Sequence, residues 1–285
     1  MESGNTKLNI HYYLRNFFCR NCEKIKQQIA NIEFQKNAIN KDFIIKNKKF
    51  WDELGEDTVA NHYVLSEHAL GALPWSFNVT ITSSLVAKAL NAKILYVNRS
   101  RPNRIEPECT IQESFANSEF AYIDEIIADE KDAIKEDVNT VYETLSRPED
   151  ILSIRYQGVP IGEQIYDSVI KYKHATVEKI DQNVYNCIYD AFRNARATQL
   201  LMKQKNIVAG VFTHDTCGGD GVMTRILLAN EKIVYNGKGG LGFLRRVTKY
   251  SEEKARIPLM LRPNRKHIKL IEASAEGVSN VEKYF

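Results

Sequence analysis

Apolar residues recur at helical spacing from Tyr13 to Phe34, where Leu14, Phe17, Phe18, Ile25, Ile29 and Ile32 stand among Lys, Gln and Asn. That period predicts an amphipathic helix, followed by a basic patch at Lys46, Lys48 and Lys49. From about Thr58 the pattern changes to strand–helix alternation. His62–His68 predicts a strand, Val79–Leu90 a helix rich in small residues, and Ala92–Arg99 a short apolar strand; Phe120–Ile123 predicts a third. Asp124–Leu145 predicts one acidic amphipathic helix, with eight acids against two bases between Asp124 and Glu143, which marks a solvated outer face. Ser146-Arg-Pro-Glu-Asp breaks the pattern, with Pro148 at a helix start. Val177–Gln204 then predicts the longest helix, with Ile180, Val184, Ile188, Ala191, Phe192 and Ala195 along one side. The strand Ile207–Phe212, a glycine-rich loop, the helix Val222–Asn230 and the strand Lys232–Asn236 follow.

Apolar strands alternating with helices predict an α/β fold, a Rossmann-like parallel sheet with helices on both faces. The organisation expected is a helical N-terminal extension over residues 1–57 and an α/β domain over 58–285. Composition supports a folded chain: 285 residues, 44% hydrophobic and 26% charged. A net charge of +3 is too small to imply nucleic acid or membrane by itself. The longest run free of charged side chains, near Ala69–Ala87, contains Pro74, Asn78 and several Ser and Thr, too polar for a spanning helix. No signal peptide shows at the N-terminus. Cys19 and Cys22 form one CxxC with no second pair at zinc spacing. A cytoplasmic protein without metal or cofactor is expected.

The sharpest local signal is Thr213-His-Asp-Thr-Cys-Gly-Gly-Asp-Gly221, between a predicted buried strand and a helix. In open α/β sheets, ligands bind at the carboxyl ends of strands. Gly218, Gly219 and Gly221 allow a tight turn and close approach of a ligand, Asp220 is placed to cap the helix, and the helix start favours an anion. His214 and Asp215 are of the right type to take a proton from a sugar hydroxyl. A second run, Gly237-Lys-Gly-Gly-Leu-Gly242, formally matches GxGxxG, but the acid expected ~20 residues on is missing; it is read as a loop, which disfavours a dinucleotide-dependent dehydrogenase. Third, Lys238–Lys269 carries ten Lys or Arg against Glu252 and Glu253, a local net of +8 with Phe243 and Tyr250 interleaved. No nucleic-acid motif accompanies the tract, so nucleic acid is not expected, while peripheral contact with an anionic inner membrane is. Fourth, Gly158–Ser168 predicts a turn and a helix start at Gly162, with Tyr166 and Asp167 suited to stack on a sugar ring and accept its hydroxyls.

The run Ser146–Tyr172, SRPEDILSIRYQGVPIGEQIYDSVIKY, resembles a segment of bacterial surface and capsular polysaccharide biosynthesis proteins. These join an Ile-Gly-(Asp/Glu)-x-Ile-Tyr-Asp-(Ser/Thr) motif to a later His…Gly…Arg element, matched here by His214, Gly221 and Arg225, with Ser114-Phe115 in the lead-in. The resemblance implies the acceptor-side domain of a GT-B glycosyltransferase, the donor-side domain being absent from this sequence. It implies transfer of a sugar from a nucleotide-sugar donor to a saccharide or lipid-linked acceptor. His214 or Asp215 would be the base, and Gly162, Tyr166, Asp167, Gly218, Gly219, Gly221 and Arg225 would line the acceptor or phosphate region. The alternative is a non-catalytic binding module that docks on a partner through the basic tract.

Overall fold

The computed structural model describes residues 38–55, 61–67, 73–99, 107–115, 118–172, 176–236 and 245–247, which belong to one compact unit, Met1–Val247. The predicted helix Tyr13–Phe34, the Cys19–Cys22 pair, the Gly237–Gly242 run and all of the basic tract except Arg245–Val247 lie outside the described residues.

In chain order the elements are α1 (Ala38–Gly55), β1 (Tyr63–Glu67), α2 (Leu73–Ala89), β2 (Lys93–Asn98), α3 (Pro107–Glu113), β3 (Ser118–Tyr122) and α4 (Ile123–Ile126). After them come α5 (Lys131–Glu143), β4 (Arg155–Tyr156), β5 (Val159–Pro160), α6 (Gly162–Tyr172), α7 (Gln182–Gln204), β6 (Ile207–Phe212), α8 (Val222–Ala229), β7 (Ile233–Asn236) and β8 (Arg245–Val247). Six strands form one sheet in the order β3-β2-β1-β6-β7-β8, and β4 and β5 form a separate small ribbon. All pairings in the large sheet are parallel except β7 with β8, which closes one edge antiparallel.

The strand sequences explain why both faces are covered. YVLSE and KILYVN are apolar at successive positions, and side chains alternate across a sheet. Leu65, Leu95 and Val97 enter the larger core, built with α5, α6, α7 and α8. Val64, Ile94 and Tyr96 enter the other, which α2 covers through Val79, Val86 and Ala87. Small residues let α2 lie close: Ser83 and Ser66 share a buried hydroxyl pair at 2.7 Å, tying helix to strand. Trp51, Ile111 and Phe115 join α1 and α3 in a third cluster, with Phe77 of α2 against it.

Three expectations are corrected. The acidic segment is not one helix: α4 stops at Ile126, a 3-10 turn spans Ala128–Glu130, and α5 begins at Lys131. Ile127 and Ile134 are both buried despite the break, and Glu130 accepts from Arg196 Nη2 at 2.8 Å on both carboxylate oxygens. The longest helix starts at Gln182 rather than Val177, because Asp181 caps it by accepting from the N–H groups of Asn183 (2.9 Å) and Val184 (3.2 Å). Asp220 is not a cap: the α8 start has no side-chain cap bond. The break at Ser146 does start a helical turn at Pro148, closed by the Asp150 carboxylate, which accepts from the N–H groups of Ser146 and Arg147 at 2.9 and 2.8 Å. Those bonds hold the Asp150 carboxyl below its ordinary range.

The chain reverses its order in the sheet between β1 and β6, so the carboxyl ends of these neighbouring parallel strands open onto one crevice. That is where α/β sheets bind ligands.

Candidate functional site

The crevice has a volume of about 780 Å³ and is lined from several parts of the chain. Glu67 ends β1, Asn98 and Arg99 follow from β2, Ser168 comes from α6, and Asn186, Asp190, Arg193 and Asn194 come from α7. The loop after β6 supplies Cys217, Gly218, Gly219 and Asp220. The volume lies within the range of small-molecule sites.

Phe212 ends β6, and the next N–H, that of Thr213, donates to Glu67 Oε1 at 2.6 Å. This bond joins the two strands across the point where the sheet order reverses. The loop then enters a single π-turn, Cys217–Gly221, before α8; such turns recur at functional sites. The Gly218 N–H donates to Ser168 Oγ at 2.6 Å, Ser168 Oγ donates to the Gln164 carbonyl at 2.7 Å, and Asn194 Nδ2 donates to the Gly218 carbonyl at 2.9 Å. The turn is therefore clamped by α6 and α7. A side chain on Gly221 would press on Gln164 and on the backbone of Asp215 and Thr216, whereas one on Gly219 would meet open space. Gly221 serves packing, and Gly219 exposes backbone to the crevice. Cys217, a free thiol, holds the left-handed φ of 65° needed to begin the turn.

The turn carries Asp220 to Glu67. Burial pushes the Asp220 carboxyl well above its ordinary range, and the Glu67 charge, a hydrogen bond between the two acids and Cys217 push in the same direction; Lys171 opposes them. Asp220 therefore holds its proton more firmly than an exposed aspartate does, and Glu67 Oε1 accepts the Thr213 N–H. Arg193, only 5% exposed, lines the same crevice. Among the described residues, no three His, Cys, Asp or Glu side chains converge as a metal site.

The residues singled out from sequence fall into three groups. Gly218 and Gly219 line the crevice. Asp167, Asp215 and Arg225 meet elsewhere, between α6 and α8. There Arg225 Nη2 donates to Glu163 Oε2 at 2.8 Å. With the Gln164 amide oriented to satisfy its network, its oxygen accepts from Arg225 Nη2 and Nε at 2.7 and 3.1 Å. Arg225 is buried and holds the two helices together. Asp167 is raised by burial, then by the Glu163 charge, with Arg225 opposing and Asp215 adding to the rise. The last group is set by local packing. Gly162 is buried where a side chain would overlap the carbonyls of Ile151 and Leu152, and half-buried Tyr166 packs on the core. His214 Nδ1 pairs with Thr213 Oγ1 at 2.7 Å. Neither His214 nor Asp215 is among the lining residues.

Glu67, Asp190, Arg193 and Asn194 escape a local reading of the sequence. Their signal is positional: a charged residue closing an apolar strand, and Asn186, Asp190, Arg193 and Asn194 interrupting the apolar side of a long helix at spacings of one turn.

No family model, curated protein or solved structure matches the chain.

Proposed function

We propose that the crevice holds the acceptor sugar of a glycosyl-transfer reaction. The observation that carries this reading is the acid pair Glu67–Asp220 lining a crevice at the carboxyl ends of β1 and β6. A sugar acceptor needs a base at one hydroxyl and hydrogen-bonding groups at the others. Asn98 and Asn186 provide amide groups, Tyr189 an aromatic ring. The resemblance of Ser146–Tyr172 to surface-polysaccharide proteins favours the same chemistry.

In this reading Glu67, not His214 or Asp215, is the base, because it lines the crevice and they do not. The acceptor hydroxyl gives its proton to the Glu67 carboxylate. Its oxygen bonds to the anomeric carbon of a nucleotide sugar as the bond from that carbon to the diphosphate breaks, and the nucleoside diphosphate leaves with the electron pair. Asp220, holding its own proton, donates to Glu67 and keeps it oriented. The acceptor is a saccharide, free or lipid-linked, and the basic tract brings the protein to an anionic membrane surface.

The test is transfer from a panel of nucleotide sugars to saccharide and lipid-linked acceptors. Glu67→Gln is expected to slow transfer by about 10²–10⁴-fold with the fold intact. The polarised charge of the chain favours a second reading, a non-catalytic docking module. Saccharide binding without turnover of any nucleotide sugar would decide for that module.

A further inference from the structure

The crevice wall contains a buried cation whose bonding is incomplete. Arg193 has 5% of its surface exposed, and its Nε has no hydrogen-bond partner among the described residues. Its Nη2 lies 3.2 Å from Asp190 Oδ1 and its Nη1 3.6 Å from Asp124 Oδ1. Arg99, from the carboxyl end of β2, directs its Nη2 to the same Asp190 Oδ1 at 3.7 Å. Two guanidinium groups thus converge on one carboxylate oxygen, both beyond the ordinary range of a charged hydrogen bond. Elsewhere in this protein arginines with less need are bonded more closely: Arg196, more exposed than Arg193, reaches both oxygens of Glu130 at 2.8 Å.

A charge removed from water and not closely bonded is costly. Burial pulls Arg193 below the ordinary arginine range; Asp190 opposes that pull and the Arg99 charge adds to it. Arg99, Arg193 and Asp190 all line the crevice, so a ligand can reach the point where the guanidinium groups meet. A phosphoryl or carboxylate group has several acceptor oxygens and can bridge two guanidinium groups, where Asp190 presents a single oxygen. An arriving anion is held by replacing the loose Asp190 contacts, with both arginines contributing.

We propose that Arg193 and Arg99 form an anion subsite in the crevice, and that the saccharide bound there carries a phosphoryl or carboxylate group. The saccharide part rests on the function proposed above; the anion part rests on the arginines alone.

Titration calorimetry on the full chain with glucose 1-phosphate, glucuronate, glucose and inorganic phosphate tests both parts. At least one of the anionic sugars is expected to bind about tenfold or more tightly than glucose, and whichever it is identifies the source of the anion. Arg193→Gln should remove that advantage. Arg99→Gln, at a side chain that is 62% exposed and so safe for folding, should reduce it several-fold, and Asp190→Asn should increase it. Inorganic phosphate binding as tightly as glucose 1-phosphate, with the same dependence on Arg99, supports the anion subsite and removes the saccharide reading. Equal binding of glucose and both anionic sugars overturns the anion subsite and leaves the saccharide reading standing. An anion preference unchanged in Arg99→Gln, or weakened in Asp190→Asn, also overturns it. Absence of binding by every probe overturns both.

Discussion

Asp220 stores a proton that an exposed aspartate would release. An unfolded Asp ionises near pH 3.8, whereas in the folded protein burial and the neighbouring Glu67 delay ionisation to higher pH. Between those values the unfolded chain has lost a proton that the folded chain keeps, so stability falls as pH rises. The contribution is complete below the unfolded value and is lost as pH rises through the folded one. Asp220→Asn, an isosteric neutral side chain, should flatten that decline. Melting temperatures of the two proteins from about pH 4 to about pH 8 are the measurement; parallel curves would mean that Asp220 ionises normally. Gly162 represents a different kind of residue, one fixed by lack of space. An added Cβ would overlap two backbone carbonyls of the turn that precedes β4, and backbone yields less than a side chain. Gly162→Ala is expected to cost about 1–3 kcal/mol in urea unfolding, with saccharide binding affected only through stability.

The helices differ in how they are held, and that decides what each contributes to the crevice. α7 is anchored at its first turn by Asp181, and its lining residues begin at Asn186, more than one turn later. Removing the cap with Asp181→Ala should cost about 1 kcal/mol in urea unfolding and leave saccharide affinity nearly unchanged. A large loss of affinity would show that the first turn positions the lining. α6 and α8 are instead locked to each other by Arg225 through Glu163 and Gln164, and α6 passes the constraint to the loop through Ser168. The motif Ile-Gly-Glu-Gln-Ile-Tyr-Asp-Ser thus supplies the crevice mainly with support. Its Gly permits close packing, its Glu and Gln hold Arg225, and its Ser holds the Gly218 N–H.

For the whole molecule, the main electrostatic feature is the separation of charge along the chain. The segment Lys238–Lys269 carries +8 in a protein of net +3, so the rest carries −5. Each basic side chain near an anionic surface contributes about 1 kcal/mol, and the attraction is screened within a Debye length. Sedimentation with anionic vesicles should therefore show binding at low salt that weakens as salt rises. Neutral vesicles should not bind, and replacing Arg245, Arg246, Arg262, Arg265 and Lys266 by Gln should abolish the effect. Equal, negligible binding to both vesicle types would make the tract an ordinary solvated surface. Among the described residues no helix is long and apolar enough to cross a membrane.

The α/β class, the strand runs and the loop after β6 were legible in the sequence because they depend on local spacing. A run such as IVAGVF predicts a buried strand wherever it stands, and a glycine-rich segment between strand and helix predicts a turn. That the strands pair in parallel and leave a crevice at their carboxyl ends follows from the alternation of elements. Local spacing does not reveal what faces a residue across the fold. Asp220 stands where a cap would stand, yet pairing β1 with β6 brings Glu67 against it from 153 positions earlier in the chain. Arg225 and Asp167 read as ligand residues by motif, yet the packing of α6 on α8 occupies Arg225 with Glu163 and Gln164. Arg193 reads as an ordinary helical arginine, and only the return of β2 and α4 beside α7 buries it and brings Arg99 and Asp124 near it. Hydrophobic period is encoded within a few residues, so the sequence alone determined the α/β class and most of the strands and helices of the sheet. Burial and charge pairing arise between segments far apart in the chain, so the tertiary structure alone decided which side chains share the crevice.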